Sequence, residues 1–109
     1  MPKVWITQET SHDFLPAQKY GEIEFVTAKD FSSVRNSLNN AALLDEVRFK
    51  MNKFDADNDW IVVAGSPYVA AAVFYWLGKR GAQTLNILRW SNRDHVYVPI
   101  TLDLLEKRE

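Results

Sequence analysis

The stretch Trp60-Ile-Val-Val-Ala-Gly-Ser-Pro67 decides how the chain is read. Trp60 to Ala64 are five successive apolar residues without polar alternation, the pattern of a strand covered on both faces. Gly65 breaks the run, Ser66 has the side chain of a helix N-cap, and Pro67 suits a first helical turn. Tyr68 to Gly78 is then apolar nearly all round, which predicts a largely enclosed helix. Lys79 and Arg80 suit the negative end of its dipole, and Gly81 suits a C-terminal cap. A doubly covered strand running straight into a helix is half of a strand–helix–strand unit. Such units build parallel sheets with right-handed crossovers.

Outward from this stretch the same logic continues. Downstream, Thr84 to Trp90 reads as a strand, Ser91-Asn92-Arg93-Asp94 as a four-residue turn, and His95 to Leu102 as a returning strand. Arg89/Val96, Ile87/Val98 and Leu85/Ile100 are then expected to pair on one face, and Trp90/His95 and Leu88/Tyr97 on the other. Pro99 lacks a backbone donor, which places this last strand at the sheet edge. Upstream, Lys3 to Thr7 and Glu22 to Thr27 read as strands. The long polar connection Gln8 to Gly21 carries Phe14, Leu15 and Tyr20, which predict that it packs down on the sheet. A helix capped at Asp30 or Ser32 is expected to bury a stripe of Val34, Leu38, Ala41, Leu44, Val47, Met51 and Phe54, spaced by threes and fours. Arg35, Asn39, Glu46, Lys50 and Lys53 occupy its other side, and Asp55 to Asp59 end it as a solvated loop. The order β-β-α-β-α-β-β predicts one compact, three-layer α/β domain over residues 1–109. Its sheet has about five strands, is mostly parallel, ends in an antiparallel hairpin, and carries the helices packed on it. The ordered core spans 3–102 and a polar tail 103–109.

Composition limits the function classes. The 109 residues include 13 Lys+Arg and 14 Asp+Glu, so the net charge is −1 with both histidines neutral. That balance argues against tight non-specific nucleic-acid binding, which rests on many phosphate contacts. The absence of cysteine excludes disulfides, thiolate metal sites and thiol nucleophiles. The longest apolar run, Val69 to Leu77, is nine residues against the roughly 20 needed to span a bilayer. With no signal-like start, the expectation is a protein without a membrane association.

Two places carry candidate chemistry. The first is Gly65-Ser66-Pro67, where a strand end meets a helix start. Backbone N–H groups and the positive dipole end there suit a phosphate, and open α/β sheets bind ligands beyond strand carboxyl ends. The alternative is a tight turn with Ser66 as cap. The second is the hairpin tip with Arg89, Trp90, Asn92 and Arg93: arginine forks suit phosphates and an exposed indole suits stacking. The alternative there is a solvated turn with Asp94 paired to an arginine. His12-Asp13 lacks companion ligands for a metal. Asp55-x-Asp57-x-Asp59 resembles a calcium loop, but Trp60 stands where glycine is required and Ser66 where Glu is. Ser66 and His95 lack the setting of a nucleophile elbow. No catalytic residue, metal ligand or cofactor is assigned, and the protein reads as a non-enzyme. The aromatic excess of Phe74, Tyr75 and Trp76 makes a homodimer face a further expectation.

Several motifs stand in a particular order: Trp5-Ile-Thr-Gln-Glu9, Asp13-Phe-Leu-Pro-Ala17 with Tyr20-Gly-Glu22, Asp59-Trp-Ile-Val-Val-Ala-Gly-Ser-Pro67, and Leu88-Arg-Trp-Ser-Asn-Arg93 with Tyr97-Val-Pro-Ile100. Over roughly residues 3 to 102 the chain resembles a group of small phage-encoded α/β proteins. The resemblance implies a viral protein acting in the host cytoplasm. It transfers no activity and no site residue. The leading expectation is a phage accessory protein that binds a phosphorylated small molecule or nucleotide, using Gly65, Ser66, Arg89, Trp90, Asn92 and Arg93. The alternatives are a protein–protein interaction module acting on a host or phage factor through the hairpin tip, Phe14, Leu15 and Tyr20, and single-stranded nucleic-acid binding in phage replication.

Overall fold

A computed structural model describes residues 1–35 and 37–103. The elements are β1 (Lys3–Gln8), β2 (Glu22–Thr27), α1 (Leu38–Met51), β3 (Trp60–Val62), α2 (Pro67–Lys79), β4 (Thr84–Ser91) and β5 (Val96–Asp103), with a 3-10 helix at Leu15–Tyr20. They form one mixed five-stranded sheet of order β2-β1-β3-β4-β5. β1 to β4 are parallel, and β5 returns antiparallel at the edge, where Pro99 places it.

The order decides which face each connection covers. β1 to β2 steps one way across the sheet, while β2 to β3 and β3 to β4 step the other way. Right-handed crossovers then send the first connection to one face and the two helices to the opposite face. The core divides accordingly. Trp5, Val26, Ile61 and Leu85 meet Leu43, Val47 and Met51 of α1 and Val69, Val73 and Leu77 of α2. Val4, Ile6, Val62 and Leu88 meet Phe14 and Ala17 around the 3-10 helix, with Tyr97 closing the cluster. The third layer is therefore thin: a 3-10 turn and a connection rather than a helix.

Several sequence expectations need correction. The first helix starts at Ser37, whose Oγ accepts the Asn40 N–H at 3.4 Å, and not at Asp30 or Ser32. Those two residues close local turns by accepting from Phe31 and Val34 N–H, and the Asn40 side chain ties the segment down through both Ser32 backbone groups. The buried stripe is Leu43, Val47, Met51 and Phe54, whereas Val34, Leu38 and Leu44 are exposed, Leu38 by 85%. Leu43 and Leu44 are adjacent and equally apolar, and the structure buries Leu43, which the expected stripe left out. The second helix buries one side only. Tyr68 and Tyr75 are exposed, and Phe74 and Trp76 pack partly against the core. β3 is three residues long, and Val63 beyond it is half exposed. The terminal hairpin pairs two registers further out, with Arg89↔Val98, Ile87↔Ile100, Leu85↔Leu102 and Trp90↔Tyr97. Its turn is Asn92 to His95, because His95 takes the left-handed conformation (φ 54°) and donates its N–H to the Ser91 carbonyl at 2.8 Å. A shift of two leaves every side chain on its predicted face. Within the tail, Asp103 belongs to β5, and residues 104–109 lie outside the described residues.

Asp59 is the largest departure from the solvated-loop expectation. It is buried at 4% exposure and accepts three N–H groups: Lys3 at 2.9 Å, Trp5 Nε1 at 2.9 Å and Asp55 at 3.0 Å. One carboxylate thus joins the start of β1, a buried indole and the turn entering β3.

Candidate ligand cleft at the carboxyl ends of β3 and β4

The site begins with one hydroxyl. Thr7, buried in β1, accepts the Ala64 N–H and donates to the Ala64 carbonyl, both at 3.0 Å. The chain leaving β3 is thereby held against β1. On its other side β3 pairs with β4 only at Ile61↔Ile87, while β4 continues to Ser91 alongside β5. The two strands part, and the wedge between them is a cleft of about 420 Å³. That volume lies within the roughly 300–1,000 Å³ range of small-molecule pockets. The cleft sits at the strand carboxyl ends, the end at which open α/β sheets bind ligands, one strand away from the β1–β3 position where the direction of the connections reverses.

Its walls are mostly apolar. Val62, Val63 and Ala64 form one side, Ile87, Leu88 and Trp90 the other, and Phe14, Tyr97 and Ile100 complete it, with Thr10, His12, Gly65 and Arg89 at the polar positions. A chain of edge-to-face rings stiffens one end: His12 against Phe14 (5.0 Å) and Trp90 (5.2 Å), and Trp90 against Tyr97 (4.9 Å). Tyr97 is 3% exposed, and among the described residues its hydroxyl has no hydrogen-bond partner. Burial, with Asp13 adding repulsion against the anion, pushes its phenol above the ordinary 10.0. Arg89 is exposed and makes no ion pair among the described residues.

The sequence-predicted site residues divide. Gly65, Arg89 and Trp90 meet at the cleft. Ser66 stands behind it as the cap of α2: its Oγ accepts from Tyr68 and Val69 N–H at 3.2 and 3.5 Å, and its own N–H goes to Gln8 Oε1 at 2.7 Å. The first-turn donors of α2 are thus engaged inside the chain, and the dipole remains as the helix's contribution. Gly65 is left-handed (φ +71°), and a Cβ there would collide with Gln8 Oε1. Asn92 accepts the Trp90 Nε1–H at 3.0 Å and so orients the indole from outside the cleft. Arg93 is exposed at the hairpin tip, away from the lining. Trp90 itself is half buried, not an exposed platform, because His12, His95 and Tyr97 surround it. Sequence reasoning missed Thr7, Gln8, Thr10, His12 and Tyr97 as parts of this region. The available signal was that Gln8 to Phe14 follows directly on a parallel strand's carboxyl end.

The family comparison bears on the whole chain. The model of the family described as Phage Pam3 gp32-like protein matches residues 2–104. The chain belongs to that family. The resemblance to small phage proteins therefore holds over nearly its full length. No curated protein and no solved structure matches the chain. Nothing in the family description points to an enzyme. Among the described residues no group of His, Asp or Glu could hold a metal ion, and no helix is long and apolar enough to cross a membrane.

Proposed function

We propose that this phage protein is a binding protein, acting in the host cytoplasm, for a phosphorylated small molecule or nucleotide held in the β3–β4 cleft. One observation carries the reading: an apolar cleft at the strand carboxyl ends has at its mouth an arginine, Arg89, and in its lining a buried hydroxyl, Tyr97, neither of which has an ion-pair or hydrogen-bond partner among the described residues. Apolar walls with few polar groups fix orientation, and a guanidinium suits a phosphate. No chemistry is assigned to it. The test is native mass spectrometry of protein purified gently from its producing cells. A mass above the bare chain that disappears in Arg89→Ala supports the reading. A bare mass, together with no thermal stabilisation of purified protein by nucleoside monophosphates, overturns it.

A second reading, recognition of a host or phage protein or of a second copy, has its own observation. The helix-side face of the terminal hairpin exposes Val96, Val98 and Leu102, and Tyr68 and Tyr75 are exposed on α2. Single-stranded nucleic acid is favoured least, since Trp90 is enclosed by three rings and the net charge is −1.

A further inference from the structure

The walls of the cleft hold backbone as well as side chains. In a strand, alternate residues direct their N–H and C=O groups to the same side. Leu88 to Ser91 are partnered by β5 on one side. On the other side the pairing with β3 has ended at Ile61↔Ile87. β3 itself ends at Val62, and both backbone groups of Ala64 are taken by the Thr7 hydroxyl of β1. Beyond that pair, alternate residues of Leu88–Trp90 turn their ladder groups toward the cleft, opposite Val62–Ala64, and apolar side chains flank them. Polar backbone groups in such a setting call for partners, and the partner that fits is flat and carries alternating donors and acceptors along one edge.

We infer that the ligand's ring is a nucleobase, inserted between the parted strands so that its hydrogen-bonding edge replaces the missing strand pairing. This rests on the cleft-binding reading above. Leu88 and Trp90 supply apolar contact to the ring from one face of β4, and Arg89, exposed on the opposite face of the same stretch, offers its charge to the phosphate across the gap. A purely aromatic or aliphatic anion would leave the ladder groups to water. Because water can serve those groups, the discrimination is modest, roughly tenfold for a blocked base edge.

The experiment is calorimetric titration of the intact protein with the four nucleoside 5′-monophosphates, their counterparts methylated on the base-pairing edge, and ribose 5-phosphate. At least one monophosphate should bind, its methylated form roughly tenfold more weakly, and ribose 5-phosphate more weakly still. Arg89→Ala should weaken parent and methylated forms alike and leave their ratio unchanged, since the base is read by backbone. Equal affinity of parent and methylated forms, or of a monophosphate and ribose 5-phosphate, overturns the inference and leaves the cleft reading standing. Absence of binding by every probe overturns both.

Discussion

Replacing Asp59 by alanine should destabilise the fold more than any other single change at a charged residue. The carboxylate is buried and accepts from Lys3 N–H, Trp5 Nε1–H and Asp55 N–H at 2.9, 2.9 and 3.0 Å. Trp5 is itself 1% exposed, so its indole N–H has no route to water once the acceptor is gone. A buried donor left unsatisfied costs about 1–3 kcal/mol, and the two backbone donors nearer the surface add about 0.5 kcal/mol or more each. The sum, about 3 kcal/mol, corresponds to a fall in Tm of roughly 12–24 °C for a domain of this size. Thermal and urea unfolding of Asp59→Ala would measure it. Asp59→Asn, which keeps one acceptor oxygen, should fall between the two. A double-mutant cycle with Trp5→Phe isolates the indole bond, and the cost of Asp59→Ala should shrink by about 1–2 kcal/mol in that background. A loss below about 0.5 kcal/mol for Asp59→Ala, the range of ordinary surface substitutions, would refute the reasoning.

Tyr97→Phe should be neutral or stabilise by up to about 1 kcal/mol, because it removes a buried hydroxyl with no partner among the described residues, while weakening ligand binding; a clear loss of stability would mean that the hydroxyl has a partner in the free protein. Burial raises the Tyr97 phenol above 10.0, so wild-type stability is intact below pH 10.0 and falls as pH rises through the folded value, a loss that Tyr97→Phe should reduce in alkaline unfolding curves. At Asp55 the sign is opposite: the Asn58 side chain, then the Asp57 N–H, holds the carboxyl below 3.8, so its contribution is present above pH 3.8 and disappears as pH falls through the lower folded value. In an NMR titration Asn58→Ala should move the Asp55 midpoint up toward 3.8; an unmoved midpoint would contradict the assignment. Gly65→Ala should cost about 1–2 kcal/mol from its left-handed backbone alone, with more from displacing Gln8, and Gln8→Ala should recover the second part when chemical denaturation compares the double variant with the singles.

The architecture was readable because the elements that set it are locally unambiguous. Trp60 to Pro67 contains a strand, a glycine break and a capped helix start in eight residues, and Ile61 and Val62 are buried as that reading requires, although the strand stops at Val62 and Val63 is half exposed. Pro99 at the edge was legible for the same reason: a missing N–H has one comfortable place. What escaped depended on partners distant in sequence. Leu38 and Leu43 are equally apolar, and only the position of the sheet beneath α1 decides that Leu43 is buried and Leu38 exposed. Asp59 reads like Asp55 and Asp57 until Lys3 and Trp5 are brought to it across more than fifty positions. The cleft shared this fate. Arg89, Trp90 and Gly65 were found from their chemistry, but its opening is set by Thr7 holding Ala64 and by β3 ending early, facts of strand neighbourhood that no local pattern carries. Ser66 illustrates the converse. Its chemistry suits an anion, yet the same geometry serves a cap, and Gln8 supplies the acceptor that its N–H takes.

The most direct measurement of the central claim is a two-dimensional amide NMR titration of the isotopically labelled protein with the nucleoside monophosphates. The account predicts saturable shifts confined to Thr10, Val63 to Gly65 and Leu88 to Trp90, with α1 unmoved. Shifts centred instead on the exposed faces of α2 and β5, or no shifts at ligand excess, would contradict it.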